Sequence, residues 1–170
     1  SNCFNQNKKI LAICWGLQVC TTAAGGKANP GKNGAHIGIA SDVIINNEGH
    51  KHFIYKDKKN KFTSPAFNFD EVSELPKNAT LLSSDKVNNV MGVSFNAGNS
   101  EITGLQYHPD YEYYQMINLI AGRKERLFKN KNFLNEEEYQ KHISYIKAEN
   151  ELLNFEDRTC EVRNWLNHIK

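Results

Sequence analysis

No apolar run in these 170 residues approaches the length of a membrane span. The first residues lack the basic, apolar and small-residue pattern of a secretory signal, so a cytoplasmic location is expected. Charge of one sign is also missing in bulk. The formal net charge is only +2, which leaves no electrostatic case for a nucleic-acid partner. Cysteines are few and poorly spaced for structural use. Cys3, Cys14, Cys20 and Cys160 form no Cys-x-x-Cys pair and no His/Cys cluster of zinc-finger spacing. In a reducing compartment they are expected as thiols. Gly25-Gly26-Lys27 lacks the Walker spacing of a phosphate loop. His36, His50 and His52 have no carboxylates at ligand spacing, so strand-surface or loop roles are expected, with no metal or cofactor. Internal repeats and low-complexity segments are absent.

What is present is an ordinary globular mixture, 39% hydrophobic and 24% charged, which argues against disorder. Residues 8–13 form a short aliphatic run that reads as a buried strand. Cys14-Trp15-Gly16 follows at once, and Leu17 to Ala24 reads as a helix stopped at Gly25-Gly26. Strands are expected at 37–45, 52–55, 79–83, 87–95 and 101–107, with a hairpin turn in Asn96-Ala97-Gly98-Asn99. Pro65 and Pro76 punctuate 63–78, which reads as loop with a helical turn. A helix is expected from about Tyr113 to Phe128. Another starts at a capping Asn135, followed by Glu136, Glu137 and Glu138 at the positive helix end, with Ile143, Ile146 and Leu153 as its apolar face. Val162, Trp165, Leu166 and Ile169 repeat at helical spacing. The expected fold is α/β: three layers, a mostly parallel central sheet flanked by helices, with one domain over 1–130 and a helical extension over 131–170.

Two segments carry chemistry. A cysteine between a buried strand and a helix sits at the helix's positive end, where backbone N–H groups favour the thiolate. In Ala12-Ile-Cys14-Trp15-Gly16-Leu-Gln18, the Trp15 N–H is the natural donor to an oxyanion, and Gly16 permits close backbone approach. This is a nucleophile elbow with Cys in place of Ser. In Gly104-Leu-Gln-Tyr-His108-Pro109-Asp110, a histidine just past a strand end can take the thiol proton and return it to a leaving amine. Asp110 can orient the ring and stabilise its charged form.

Together these segments resemble the class I (triad) glutamine amidotransferases. That family's nucleophile motif is Gly-x-Cys-x-Gly-x-Gln, and its His-Pro-Glu motif follows a late strand. Asn68-Phe69-Asp70-Glu71-Val72-x-x-Leu75-Pro76 is similar to the family's His-x-Asp-x-Val-x-x-Leu-Pro stretch beside the substrate pocket. The resemblance covers about residues 8–128 and is nearest to stand-alone GMP-synthase-like amidotransferases, with their flavodoxin-like fold. It implies that Cys14 attacks the amide of a glutamine substrate, with His108 as acid and base and Asp110 as its orienting carboxylate. Gln18 and the backbone around Phe69 and Asp70 would hold the amino-acid end, and a synthase partner would accept the ammonia. Three departures stand out. Ala12 replaces a Gly, Asn68 replaces the pocket His, and Asp110 is one methylene shorter than Glu. The family's earlier strands, with the Gly-rich loop that supplies a second oxyanion donor, have no counterpart, so an exposed flank is expected on the 8–13 strand. Two other readings are a γ-glutamyl hydrolase and a non-catalytic partner-binding domain that retains the motif.

Overall fold

The computed structural model describes residues 2–170. In chain order the elements are β1 (Lys9–Ile13), α1 (Trp15–Ala23), β2 (Lys27–Pro30), β3 (His36–Ile45), α2 (Asn47–Lys51), β4 (Lys61–Asn68), β5 (Asp70–Glu74) and β6 (Thr80–Ser84). Then follow β7 (Gly92–Ala97), β8 (Ser100–Leu105), α3 (Tyr113–Ala121), α4 (Lys124–Lys129), α5 (Glu136–Leu152), α6 (Phe155–Arg158) and α7 (Cys160–Ile169), with 3-10 turns at Asn2–Gln6 and Phe53–Tyr55. Six strands form one sheet in the order β1-β8-β7-β6-β3-β4, and β2 pairs with β5 in a separate ribbon.

The sheet is α/β and flanked by helices, but it is mixed and not mostly parallel. Only β1 and β8 run parallel; the other neighbours are antiparallel. The reason lies in the connections. A parallel return needs a crossover of a dozen or more residues, usually a helix. Gly98-Asn99 alone joins β7 to β8, and residues 85–91 join β6 to β7, so both returns must be antiparallel. β1 and β8 escape this limit because the rest of the sheet lies between them in sequence.

Apolar residues divide between the two faces of this sheet by strand alternation. On one face Leu17 of α1 packs with Ala12, Val93, Phe95 and Ile102. On the other, Leu11, Leu82, Met91 and Leu105 pack with Tyr55 and with Trp165 of α7. Farther along, Ile37 and Ile39 of β3 pack with Tyr113 and Ile120 of α3 and with Ile143 and Ile146 of α5. The helices after residue 130 therefore share the core of the preceding residues. Asn135 caps α5 as its sequence suggests, its side chain accepting from the Glu138 N–H at 2.9 Å. On α7 the expected apolar stripe is only half used, since Leu166 and Ile169 remain exposed.

Several expected elements differ. Residues 52–55 form a 3-10 turn, because the His52 ring accepts from the Ile54 N–H at 3.3 Å. The 63–78 loop is largely β4 and β5. Pro65 fits within β4 because that strand lies at the sheet edge, where a missing N–H is tolerated. The strand expected at 87–95 starts only at Gly92, because Asp85 Oδ1 holds the Val87 and Asn88 N–H groups in a turn. The helix expected at 113–128 is two helices, interrupted at Gly122-Arg123. On β1, pairing is described along the β8 side alone, so the strand is a sheet edge among the described residues.

Candidate active site

Parallel neighbours end at the same edge of a sheet, and that is what assembles this site. β1 delivers Cys14 and β8 delivers His108 to one edge. The Cys14 N–H continues the ladder to the Leu105 carbonyl at 2.7 Å. Cys14 then turns sharply, with φ 51° and ψ −110°. A non-glycine residue in the positive-φ region costs on the order of 1–3 kcal/mol and persists where its surroundings enforce it. Here the ladder bond precedes it and α1 follows it, with the Gln18 N–H donating to the Cys14 carbonyl at 3.2 Å. The thiol is half-buried at the start of α1.

His108 is held from three sides. Its N–H donates to the Pro65 carbonyl at 2.7 Å. Its Nδ1 lies 3.1 Å from Asp110 Oδ1. The Cys14 sulfur, which donates to the Phe67 carbonyl at 3.8 Å, is a neighbour of the ring that favours its charged form. Burial disfavours the imidazolium, but Asp110 and Cys14 outweigh it and raise the His108 pKa to about 9. Asp110 moves the opposite way. Its partial burial is outweighed by His108 and by the nearby Arg158 cation, so the carboxyl is held below its ordinary value. The ring keeps 18% of its side chain open to solvent, which leaves a path for a substrate group. Cys14, His108 and Asp110, picked from two separate motifs, thus stand together.

The remaining residues singled out from sequence take more specific positions. Gln18 Nε2 donates to the Asp70 carbonyl at 2.9 Å and to Gln106 Oε1 at 3.2 Å. Asn68 Nδ2 also donates to the Asp70 carbonyl, and the Phe69 carbonyl accepts from the Gly31 N–H at 2.8 Å. Both carbonyls are therefore engaged within the fold. The Phe69 ring packs edge-on against Phe67. Trp15 leaves 74% of its surface exposed beside the nucleophile. A Cβ at Gly16 would meet nothing within 4 Å, so the space above α1's first turn is open. It is Gly104 that is crowded: a Cβ there would lie 2.3 Å from Leu17 Cδ1.

Gln106 is a site residue that the motifs alone do not single out. It is fully buried, and its Nε2 donates to Cys14 Sγ at 3.6 Å. A signal for it exists, since residues two apart on a strand share a face. Gly104 lies on β8, and Gln106 and His108 keep its every-second-residue spacing beyond the strand's end at Leu105, where each meets α1 or the elbow.

A second polar system lies behind the site. His36, expected on a surface, is buried, with Nδ1 2.9 Å from Asn68 Oδ1 and Nε2 2.8 Å from Asp85 Oδ2. Asn68 continues to Asn88, and Asn88 to Glu71. Asn68, which stands where the resemblance places a pocket His, is therefore a buried link in this chain. His50 and His52 bond Asn60 and the Ile54 N–H.

The family model for glutamine amidotransferase class-I matches residues 1–121. A Pseudomonas γ-glutamyl-L-1-hydroxyisopropylamide hydrolase is 26% identical over 98% of this chain and 62% of its own length. A glutamine-hydrolyzing GMP synthase subunit of Methanococcus vannielii is 28% identical over 68% of this chain and 58% of its own. Among solved structures, a Thermotoga maritima glutamine amidotransferase superposes with a TM-score of 0.67 at 21% identity, over 94% of this chain and 61% of that one. The chain thus spans roughly half to three-fifths of the curated relatives it matches. On the family match, this chain belongs to the class-I glutamine amidotransferases.

Proposed function

We propose that the site cleaves the γ-glutamyl C–N bond of glutamine, releasing ammonia. The observation that carries this reading is the parallel β1/β8 pair, which brings the strained Cys14 elbow to a His108 held by Asp110. His108 takes the thiol proton of Cys14. Sulfur attacks the amide carbon, and negative charge develops on the amide oxygen. The first N–H groups of a helix have no intrahelical acceptor, and in this reading that of Trp15 donates to the charge. One such donor is worth about 10²–10³ in rate. His108 then protonates the amide nitrogen, the C–N bond breaks and ammonia leaves a γ-glutamyl thioester. Water attacks the thioester as His108 takes its proton, and glutamate departs from Cys14. Both hydrogens of the Gln18 amide are committed to Asp70 and Gln106. Its carbonyl oxygen is the group left to meet the substrate's α-ammonium.

In a transferase setting the ammonia passes to a synthase partner, and the GMP synthase relative supports that arrangement. A second reading keeps the same bond cleavage but releases a larger amine, as the name of the Pseudomonas relative suggests for that protein. Cys14→Ala should abolish both glutamine hydrolysis and covalent labelling by a glutamine-mimicking electrophile. Unchanged labelling of that variant would remove Cys14 from the mechanism. Comparing glutamine with γ-glutamyl alkylamides by product assay separates the two substrate readings. Absence of turnover on every γ-glutamyl substrate would leave a partner-binding module.

A further inference from the structure

We infer that the C-terminal helices brace the catalytic His-Pro-Asp segment from both sides, and that Arg158 is a positioning residue for His108 and Asp110. The inference rests on the proposed reaction for its kinetic part only. Arg158 ends α6, beyond the residues that match the family model. Its Nη1 donates to the Pro109 carbonyl at 3.2 Å and to the Tyr111 carbonyl at 3.1 Å, the two carbonyls flanking Asp110. Its Nη2 donates to Glu112 Oε1 at 3.3 Å, and its guanidinium lies 5.3 Å from the Phe155 ring centroid. The side chain is only 9% exposed. A planar fork reaching two backbone carbonyls and a carboxylate fixes a loop in a way that one ammonium cannot.

The segment before His108 is held by the same extension. The Tyr107 hydroxyl donates to Glu161 Oε1 of α7 at 2.7 Å and is linked to the Tyr55 hydroxyl at 3.0 Å. Glu161 is paired with Lys58 Nζ at 3.0 Å, both almost wholly buried. Lys58 also donates to the Asp157 carbonyl at 2.6 Å, next to Arg158. One buried lysine therefore ties α6 and α7 to the body of the domain, and those helices grip residue 107 and residues 109–112. His108 sits between the two grips. A loop end without them would let the Asp110 carboxylate drift, and a misplacement of about 1 Å can cost about a hundredfold.

The test is Arg158→Ala in the full chain. Glutamine kcat should fall about tenfold to a hundredfold with KM changed by no more than about twofold. Arg158→Lys should recover only part of the loss, and added guanidinium should restore turnover in Arg158→Ala. In an Asp110→Ala background, Arg158→Ala should cost little more, because it acts through the same loop. Hydrogen exchange at Asp110, Tyr111 and Glu112 should speed up in Arg158→Ala, whatever the substrate. Unaltered exchange in a folded variant would overturn the brace, and so would equal kcat losses with and without Asp110. If the unmodified protein cleaves no γ-glutamyl substrate, the proposed reaction fails, while the exchange measurement still decides whether Arg158 holds the loop. Should Arg158→Ala fail to fold, Arg158→Lys carries the same exchange and kinetic comparisons.

Discussion

Two histidines in this protein each sit about 3 Å from an aspartate, and the surroundings give them different work. His108 and Asp110 are 3.1 Å apart at the sheet edge, and a thiol faces the ring. His36 and Asp85 are 2.8 Å apart with 3% and 1% of their side chains exposed. Asn68 donates its amide hydrogens to the Asp70 carbonyl and to Asn88, so its oxygen faces His36. Asp85 accepts the Val87 and Asn88 N–H groups on its other oxygen. His36 thus spends both ring nitrogens on structural partners, neither of them a nucleophile, and keeps only 3% of its side chain exposed. An imidazole–carboxylate pair becomes a proton shuttle only where a nucleophile and an opening complete it. Elsewhere it is a structural tie between β3, β4 and the turn after β6.

The comparison breaks first on activity. His108→Ala should lower kcat/KM for glutamine by about 10³ and remove the stability that its charged ring lends near neutral pH, so the unfolding comparison is made above about pH 9, where that contribution is gone. His36→Ala should lower stability there more than it lowers activity. It leaves the buried Asp85 carboxyl and the Asn68 oxygen without the ring between them, a loss of about 1–3 kcal/mol, or roughly 2–10 °C in unfolding temperature for a chain of this size. Calorimetry alongside steady-state kinetics on both variants checks the division. Equal losses of stability in the two would mean that the pairs are not distinguished by access.

A smaller effect is expected from Gly104→Ala, which tests how closely the elbow is set. The added carbon would press on Leu17 Cδ1 at 2.3 Å and on Val93 Cγ1 at 3.2 Å. Leu17 lies in α1 just after Cys14, so the strain reaches the nucleophile. Overpacking of this kind costs about 1–3 kcal/mol, and a shifted sulfur should lower kcat roughly tenfold. Leu17→Ala, which opens space, should restore part of kcat in the Gly104→Ala background. An additive double variant would sink this account.

The legible parts of the fold are those governed by local chemistry. The aliphatic run into Cys14, the short helix ended at glycine and the Asn135 cap all follow from their own residues. The Cys14–His108 meeting is legible only as a pair of motifs, because nothing local says that residues 9–13 lie parallel to residues 101–105. β4 is hidden because Pro65 normally punctuates, and only its place at the sheet edge makes it admissible. Gln106 is concealed inside the motif that reveals His108. Arg158 cannot be read at all, since two of its partners are backbone carbonyls, which carry no sequence signal, and its carboxylate partner Glu112 lies 46 residues away. Asn68 looks like a departure from a pocket residue, whereas its amide is what orients His36.

The finest test of the contrast is a titration. The value of about 9 for His108 exists because Asp110 and Cys14 outweigh the burial that opposes the charged ring. A folded-state value raised above the ordinary 6.5 means that protonation favours the folded form. That stabilisation is complete below about pH 6.5 and vanishes as pH climbs through about 9. Asp110, lowered by the same partnership, stabilises above its ordinary range and loses that contribution as pH falls through its depressed value. Asp110→Asn removes the carboxylate but leaves the thiol, so the His108 midpoint should drop part of the way toward 6.5 and the alkaline loss of stability should begin earlier. The ring proton resonances of His108, followed from pH 5 to 10 in both proteins, measure this directly. Of the groups that act on the ring, Cys14 remains in the variant, and Arg158 acts only through the missing carboxylate. A midpoint that stays near 9 would therefore assign the shift to the thiol alone and reduce Asp110 to a loop residue.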